Sequence, residues 1–87
     1  MESYLIVRPI KVMEIENKKY ITSMPDGLAK LEADEYMLKF LKMMGNKECL
    51  KVSDVDEYIK NMSVEHQEQY LIAFRKFIDA GFLIPFR

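Results

Sequence analysis

The sequence predicts a small α+β domain in which three antiparallel strands precede three helices. Two observations carry that expectation. Residues 10–31 alternate apolar with polar side chains between turn signals, and residues 32–80 change to apolar positions three and four apart. A third feature fixes the end. The segment YLIAFRKFIDAGFLI, residues 70–84, reads as an apolar helix halted at Gly81 and followed by a short strand-like tail.

The strands come first. Ile10 and Val12 alternate with Lys11, and Met13 and Ile15 alternate with Glu14 and Glu16. The phase slips between Val12 and Met13, which a strand end or a bulge would explain. Asn17-Lys18 suits a tight turn, and Tyr20-Ile21-Thr22 returns as a second strand. Pro25-Asp26-Gly27 is a strong turn signal, because proline presets φ and glycine tolerates positive φ. Leu28, Ala29, Lys30 and Leu31 then form a short third strand, expected at a sheet edge.

The helices follow. Residues 32–44 place Ala33, Tyr36, Met37, Phe40, Leu41 and Met44 on one face, and Gly45-Asn46 ends the run. Ser53 is the expected N-cap of a second helix, with Asp54, Asp56 and Glu57 where the helix dipole favours acids. Ser63 is the expected cap of the third, which runs to Ala80 with Tyr70, Leu71, Phe74, Phe77 and Ile78 on one broad face. Phe82, just beyond Gly81, is placed to pack back on Phe77 as in a Schellman cap. Leu38 and Ile72 fall off their helical stripes, as single exposed aliphatics or as parts of a contact surface.

Length and composition restrict the function. The 87 residues suit one domain spanning 1–87, and 49% hydrophobic with 31% charged residues is an ordinary globular balance. A formal net charge of −1 argues against a dedicated nucleic-acid binder. Cys49 is the only cysteine and His66 the only histidine, so neither an internal disulfide nor a His/Cys metal site is expected. No signal peptide or membrane-spanning run is evident, which points to the cytoplasm and away from a membrane partner. No nucleophile–histidine–carboxylate set, glycine-rich phosphate loop or metal-ligand spacing occurs, so the expectation is a non-enzyme without a cofactor.

The order of the motifs resembles the PqqD-like family, also called RiPP recognition elements. These peptide-binding domains serve the biosynthesis of ribosomally made, post-translationally modified peptides. LEADEYMLKFLKMMGN is similar to the family's strand-end leucine, polar cap and first helix closing on glycine. KVSDVDEYIK looks like its short second helix. YLIAFRKFIDAGFL matches its third, with Tyr70, Ala73, Phe74 and Phe77 at eleven, eight, seven and four places before Gly81. Ala73 departs from the pattern, being commonly larger in the family, and leaves room beside the helix as a side-chain pocket or as a swap compensated by Tyr70 or Phe77.

The resemblance implies a winged-helix-like fold that binds the leader region of a precursor peptide. The leader lies as an added strand between the third strand and the third helix. The domain is then a peptide chaperone that presents the leader to a modifying enzyme: a radical S-adenosylmethionine enzyme, a cyclodehydratase or a leader peptidase. The implied peptide-binding residues are Leu28, Ala29, Lys30 and Leu31 on the strand and Tyr70, Ala73, Phe74, Arg75, Lys76 and Phe77 on the helix, with Lys30, Arg75 and Lys76 steering an acidic guest. An exposed edge strand also allows a homodimer by pairing with its own copy.

The rival reading is a winged-helix DNA-binding regulator. Against it, Glu65, Glu68 and Asp79 outnumber Arg75 and Lys76 on the third helix. The expected strands also precede all three helices, leaving only residues 82–86 for a wing.

Overall fold

The computed structural model describes residues 3–7, 9–23 and 30–86. Among these residues the α+β class is observed, as six strands and three helices in the order β1 Ser3–Ile6, β2 Ile10–Ile15, β3 Lys18–Ser23, β4 Lys30–Glu32, α1 Glu35–Met44, β5 Cys49–Lys51, α2 Val52–Ile59, α3 Val64–Asp79 and β6 Leu83–Phe86. The strands form two three-stranded antiparallel sheets, ordered β2-β3-β4 and β5-β1-β6. The first is the sheet expected ahead of the helices. The second was not expected. Its strand β5 lies between α1 and α2, so the strands do not all precede the helices.

A two-residue turn joins β2 to β3. Glu16 and Asn17 adopt φ of 50° and 69°, the double positive φ of a type I′ turn, whose twist matches that of the flanking strands. The turn is therefore one residue earlier than Asn17-Lys18. Pairing runs unbroken from Ile10↔Ser23 to Ile15↔Lys18, with no bulge at Val12-Met13. The phase slip is tolerated because β2 is an outer strand whose residues 11–15 are exposed. The Pro25-Asp26-Gly27 turn, Leu28 and Ala29 lie outside the described residues.

The helices start and stop on specific hydrogen bonds. Asp34 Oδ1 accepts from the Met37 N–H at 2.8 Å and starts α1 three residues later than the apolar pattern alone implies. Residues 30–32 belong to β4 instead. Strand β5 runs directly into α2, so Ser53 is already inside the helix. Asp54, at the third helical position, accepts from the Lys51 N–H at 3.0 Å. Ser63 caps α3 as expected, its Oγ accepting from the His66 N–H at 3.3 Å.

The C-terminus of α3 is a full Schellman motif. Gly81 has φ of 85°, its N–H donates to the Ile78 carbonyl at 3.1 Å, and the Phe82 N–H donates to the Phe77 carbonyl at 2.9 Å. The Phe77 and Phe82 rings meet edge to face at 5.8 Å, which is the expected hydrophobic contact. This cap redirects the chain into β6, which pairs with β1 from Ile6↔Leu83 to Ser3↔Phe86.

The buried apolar residues form one cluster. Tyr4 and Ile6 enter it from β1, Leu50 from β5, Leu83 from β6, Met37 and Phe40 from α1, Val55 and Ile59 from α2, and Tyr70, Ala73 and Phe77 from α3. Ile21 is the fully buried contribution of the β2-β3-β4 sheet. Leu38 is half-buried against this cluster, whereas Ile72 is exposed. No helix among the described residues is long and apolar enough to cross a membrane.

Candidate functional site

The sequence-expected site divides over two elements. Lys30 and Leu31 belong to β4. Strand β4 is the outer strand of its sheet, paired to β3 through Tyr20↔Glu32, Ile21↔Leu31 and Thr22↔Lys30. Antiparallel pairing alternates, so the direction of each backbone group follows from the register. In the two-residue hairpin, Lys18, Tyr20 and Thr22 direct their N–H and C=O groups to β2, and Lys19 and Ile21 direct theirs to β4. The Ala33 N–H, donating to the Lys19 carbonyl at 2.8 Å, continues the same pattern. Leu31 therefore spends its backbone on Ile21. The N–H and C=O groups of Lys30 and Glu32 face the open edge.

Side chains on β4 reinforce its local order. Leu31 is half-buried against the core, and Lys30 and Glu32 are exposed. The Lys30 ammonium stands 5.2 Å above the Tyr20 ring, and Glu32 ion-pairs with Lys18 at 3.6 Å. The exposed ion pair contributes little to stability but helps hold the short strand in register. Glu32 was not among the expected strand residues, because the apolar pattern reads it as the start of a helix.

On α3 the expected residues fall into two groups. Tyr70, Ala73 and Phe77 are 4%, 1% and 0% exposed, so they support the helix from within the core. Ala73 lines neither cleft described below. Phe74 is half-buried, edge to face with Tyr4 at 5.4 Å and stacked on Phe40 at 5.6 Å. Arg75 and Lys76 are exposed. Leu71, which the helical pattern assigns to the buried face, is 45% exposed beside Ile72 at 48%. The apolar arc of α3 is thus wider than its core demands.

Two adjoining clefts follow this exposed flank. One, of about 300 Å³, is lined by Leu71, Ile72, Arg75, Lys76 and Asp79. The other, of about 460 Å³, lies between α3 and β1 and is lined by Tyr4, Leu71, Phe74, Arg75, Ile78 and Asp79. Neither is lined by β4. Tyr4 belongs to a strand that the sequence reading did not recognise.

At the other end of α3, Tyr70 meets Tyr36 at 5.1 Å and Tyr58 at 5.4 Å, both edge to face. Burial, and then the hydrogen bond with Tyr58, push the Tyr70 phenol up to about 12. It therefore stays neutral at any physiological pH and acts as a packing group. Cys49 is exposed on β5, and His66 is exposed in the first turn of α3, 6.0 Å from the Tyr36 ring. Among the described residues, no group of three or more His, Cys, Asp and Glu is arranged to hold a metal ion. Comparison with known protein families, with curated proteins and with solved structures gives no match.

Proposed function

We propose that this domain binds the leader region of a ribosomally synthesised precursor peptide by strand addition and presents it to a modifying enzyme. The observation that carries the reading is the outer edge of β4, where the register directs the backbone groups of Lys30 and Glu32 outward, unpaired among the described residues. An extended guest satisfies those groups with its own backbone, which supplies affinity independent of its sequence. Specificity for its side chains is assigned to the exposed flank of α3, a surface that β4 does not line, where apolar Leu71 and Ile72 sit beside Arg75 and Lys76. With Lys30, these cations favour an acidic leader. The motif resemblance to PqqD-like domains supports the same reading. In it, the chemistry resides in the partner enzyme, and this domain needs no cofactor of its own.

The register decides the sharpest test. Glu32→Pro deletes an N–H that faces the open edge, at a position where an edge strand tolerates proline. Leader affinity measured by fluorescence anisotropy should fall about tenfold or more while the fold is retained, the loss expected for a hydrogen bond made only with the guest. Leu31→Pro should instead unpair β4 from Ile21 and disturb the sheet itself. Unchanged affinity in a folded Glu32→Pro variant would remove strand addition at β4.

The interleaved order α1-β5-α2-α3-β6 favours a second reading, a winged-helix DNA-binding regulator. It removes the objection that strands precede all helices. The charge objection stands, since Glu65, Glu68 and Asp79 share the exposed side of α3 with Arg75 and Lys76. Binding to duplex DNA that weakens steeply with salt, without any response to leader peptide, would select this reading.

A further inference from the structure

The exposed face of α3 has an ordered composition. From N- to C-terminus it presents Glu65 and Glu68, then Leu71 and Ile72, then Arg75 and Lys76, and finally Asp79. At 100° per residue, Glu65, Glu68, Ile72, Arg75, Lys76 and Asp79 fall on one side of the helix, with Leu71 on its border. The helix dipole accounts for an acid near the start and a base near the end. It does not account for two aliphatic residues left nearly half exposed between them. Among the described residues, none of these five charged side chains forms an ion pair, even though Arg75 and Asp79 are one turn apart. The face therefore carries charges and apolar surface that the described residues leave unanswered.

We propose that this face pairs with the same face of a second copy, antiparallel, about a two-fold axis passing near Leu71 and Ile72. Such an axis sets Leu71 and Ile72 against their own counterparts. Glu68 precedes Ile72 by four residues and Lys76 follows it by four, so the axis brings Glu68 of one copy level with Lys76 of the other, with Arg75 beside it. The pairing occurs twice, once on each side of the axis. The cleft of about 300 Å³ beside Ile72 gives the opposing aliphatic side chains a place to seat. At the rim the same axis sets Glu65 level with Asp79 of the second copy, a like-charge contact that limits affinity. The 16-residue helix is about 24 Å long, so the contact falls below the area of a standard stable interface. The dimer is weak and depends on concentration.

This surface shares Leu71, Ile72, Arg75 and Lys76 with the leader-binding reading. The test therefore uses no peptide, and its failure leaves that reading untouched. Sedimentation of the whole domain up to about 1 mM should show a monomer–dimer equilibrium with a dissociation constant of about 0.1–1 mM, as befits a small interface. Glu68→Lys alone and Lys76→Glu alone each set like charges together on both sides of the axis. Each should weaken self-association about tenfold, because like-charge juxtaposition opposes docking. Mixed in equal amounts, the two variants form a heterodimer in which every such pair is again opposite. The mixture should associate as tightly as the original protein. Asp79→Lys converts the rim repulsion to attraction and should tighten the dimer. Circular dichroism checks that these exposed substitutions leave the helices intact. A protein that stays monomeric at about 1 mM, single variants that associate like the original, or a mixture no tighter than its components would each overturn the proposal.

Discussion

The β2-β3-β4 sheet and the β5-β1-β6 sheet divide the work of this domain. The first is consecutive in the chain, and it leaves the outer strand β2 exposed and one edge of β4 open. The second draws strands from the start, middle and end of the chain, and its central strand β1 is paired on both sides beneath Phe74 of α3. Among the described residues, Ile21 alone carries the first sheet fully into the core, whereas Leu50 and Leu83 do so for the second, with Tyr4 and Ile6 nearly as deep. An open strand edge is a liability to stability and solubility, and a domain this small has little stability to spare. The pairing of distant segments in the second sheet lets the first remain open.

The largest effect that should expose this division comes from equivalent truncations in the two sheets. Leu50→Ala leaves a cavity at a fully buried site of the second sheet and should cost about 2–5 kcal/mol in chemical denaturation. Val12→Ala, on the half-exposed outer strand of the first sheet, should cost less than about 1 kcal/mol. Comparable losses would mean that the open sheet carries more of the fold than its burial implies.

Alkali provides a second separation. The Tyr70 phenol is raised from 10.0 to about 12 in the folded state, so folding favours its neutral form. That contribution is complete below pH 10 and is lost as pH rises from 10 towards 12. Unfolding measured across this window should show stability falling with pH, and Tyr70→Phe should reduce the slope. An unchanged slope would place the alkaline sensitivity elsewhere.

The smallest effect belongs to the hairpin. Glu16 holds a positive φ that asparagine adopts more readily, so Glu16→Asn should stabilise the domain by about 0.5–1 kcal/mol without altering peptide affinity. A destabilised variant would show that Glu16 makes a contribution beyond its backbone angle.

The contrast between the sheets also explains what could be read from the chain. Turn residues and alternation are local signals, and they disclose β2 and β3 to within two residues and the end of β4 to within one. The caps at Ser63 and Gly81 and the Phe77–Phe82 contact are equally local. Strand β5 is three residues long and runs straight into α2, so it has no alternation to display. Strand β1 is defined by its partners, β5 and β6, which lie more than forty residues away in sequence. For the site, the family resemblance pointed to the strand edge and to the third helix, on which the structure leaves Arg75 and Lys76 exposed. The resemblance also implied Tyr70, Ala73 and Phe77, which the structure buries, because a motif match by spacing does not say which members of an amphipathic stripe are innermost. Glu32 was not among the expected residues because the direction of its N–H follows only from the β3–β4 register.

The most direct test of the open-edge account is a ¹⁵N NMR titration of the domain with the leader region of a short precursor peptide, beside a duplex DNA control. The account predicts saturable shifts at Lys30, Leu31 and Glu32 and along the exposed flank of α3 around Leu71 and Arg75, with the β5-β1-β6 amides little changed. Shifts that leave β4 unmoved, or silence with peptide together with salt-sensitive shifts from DNA, would contradict it.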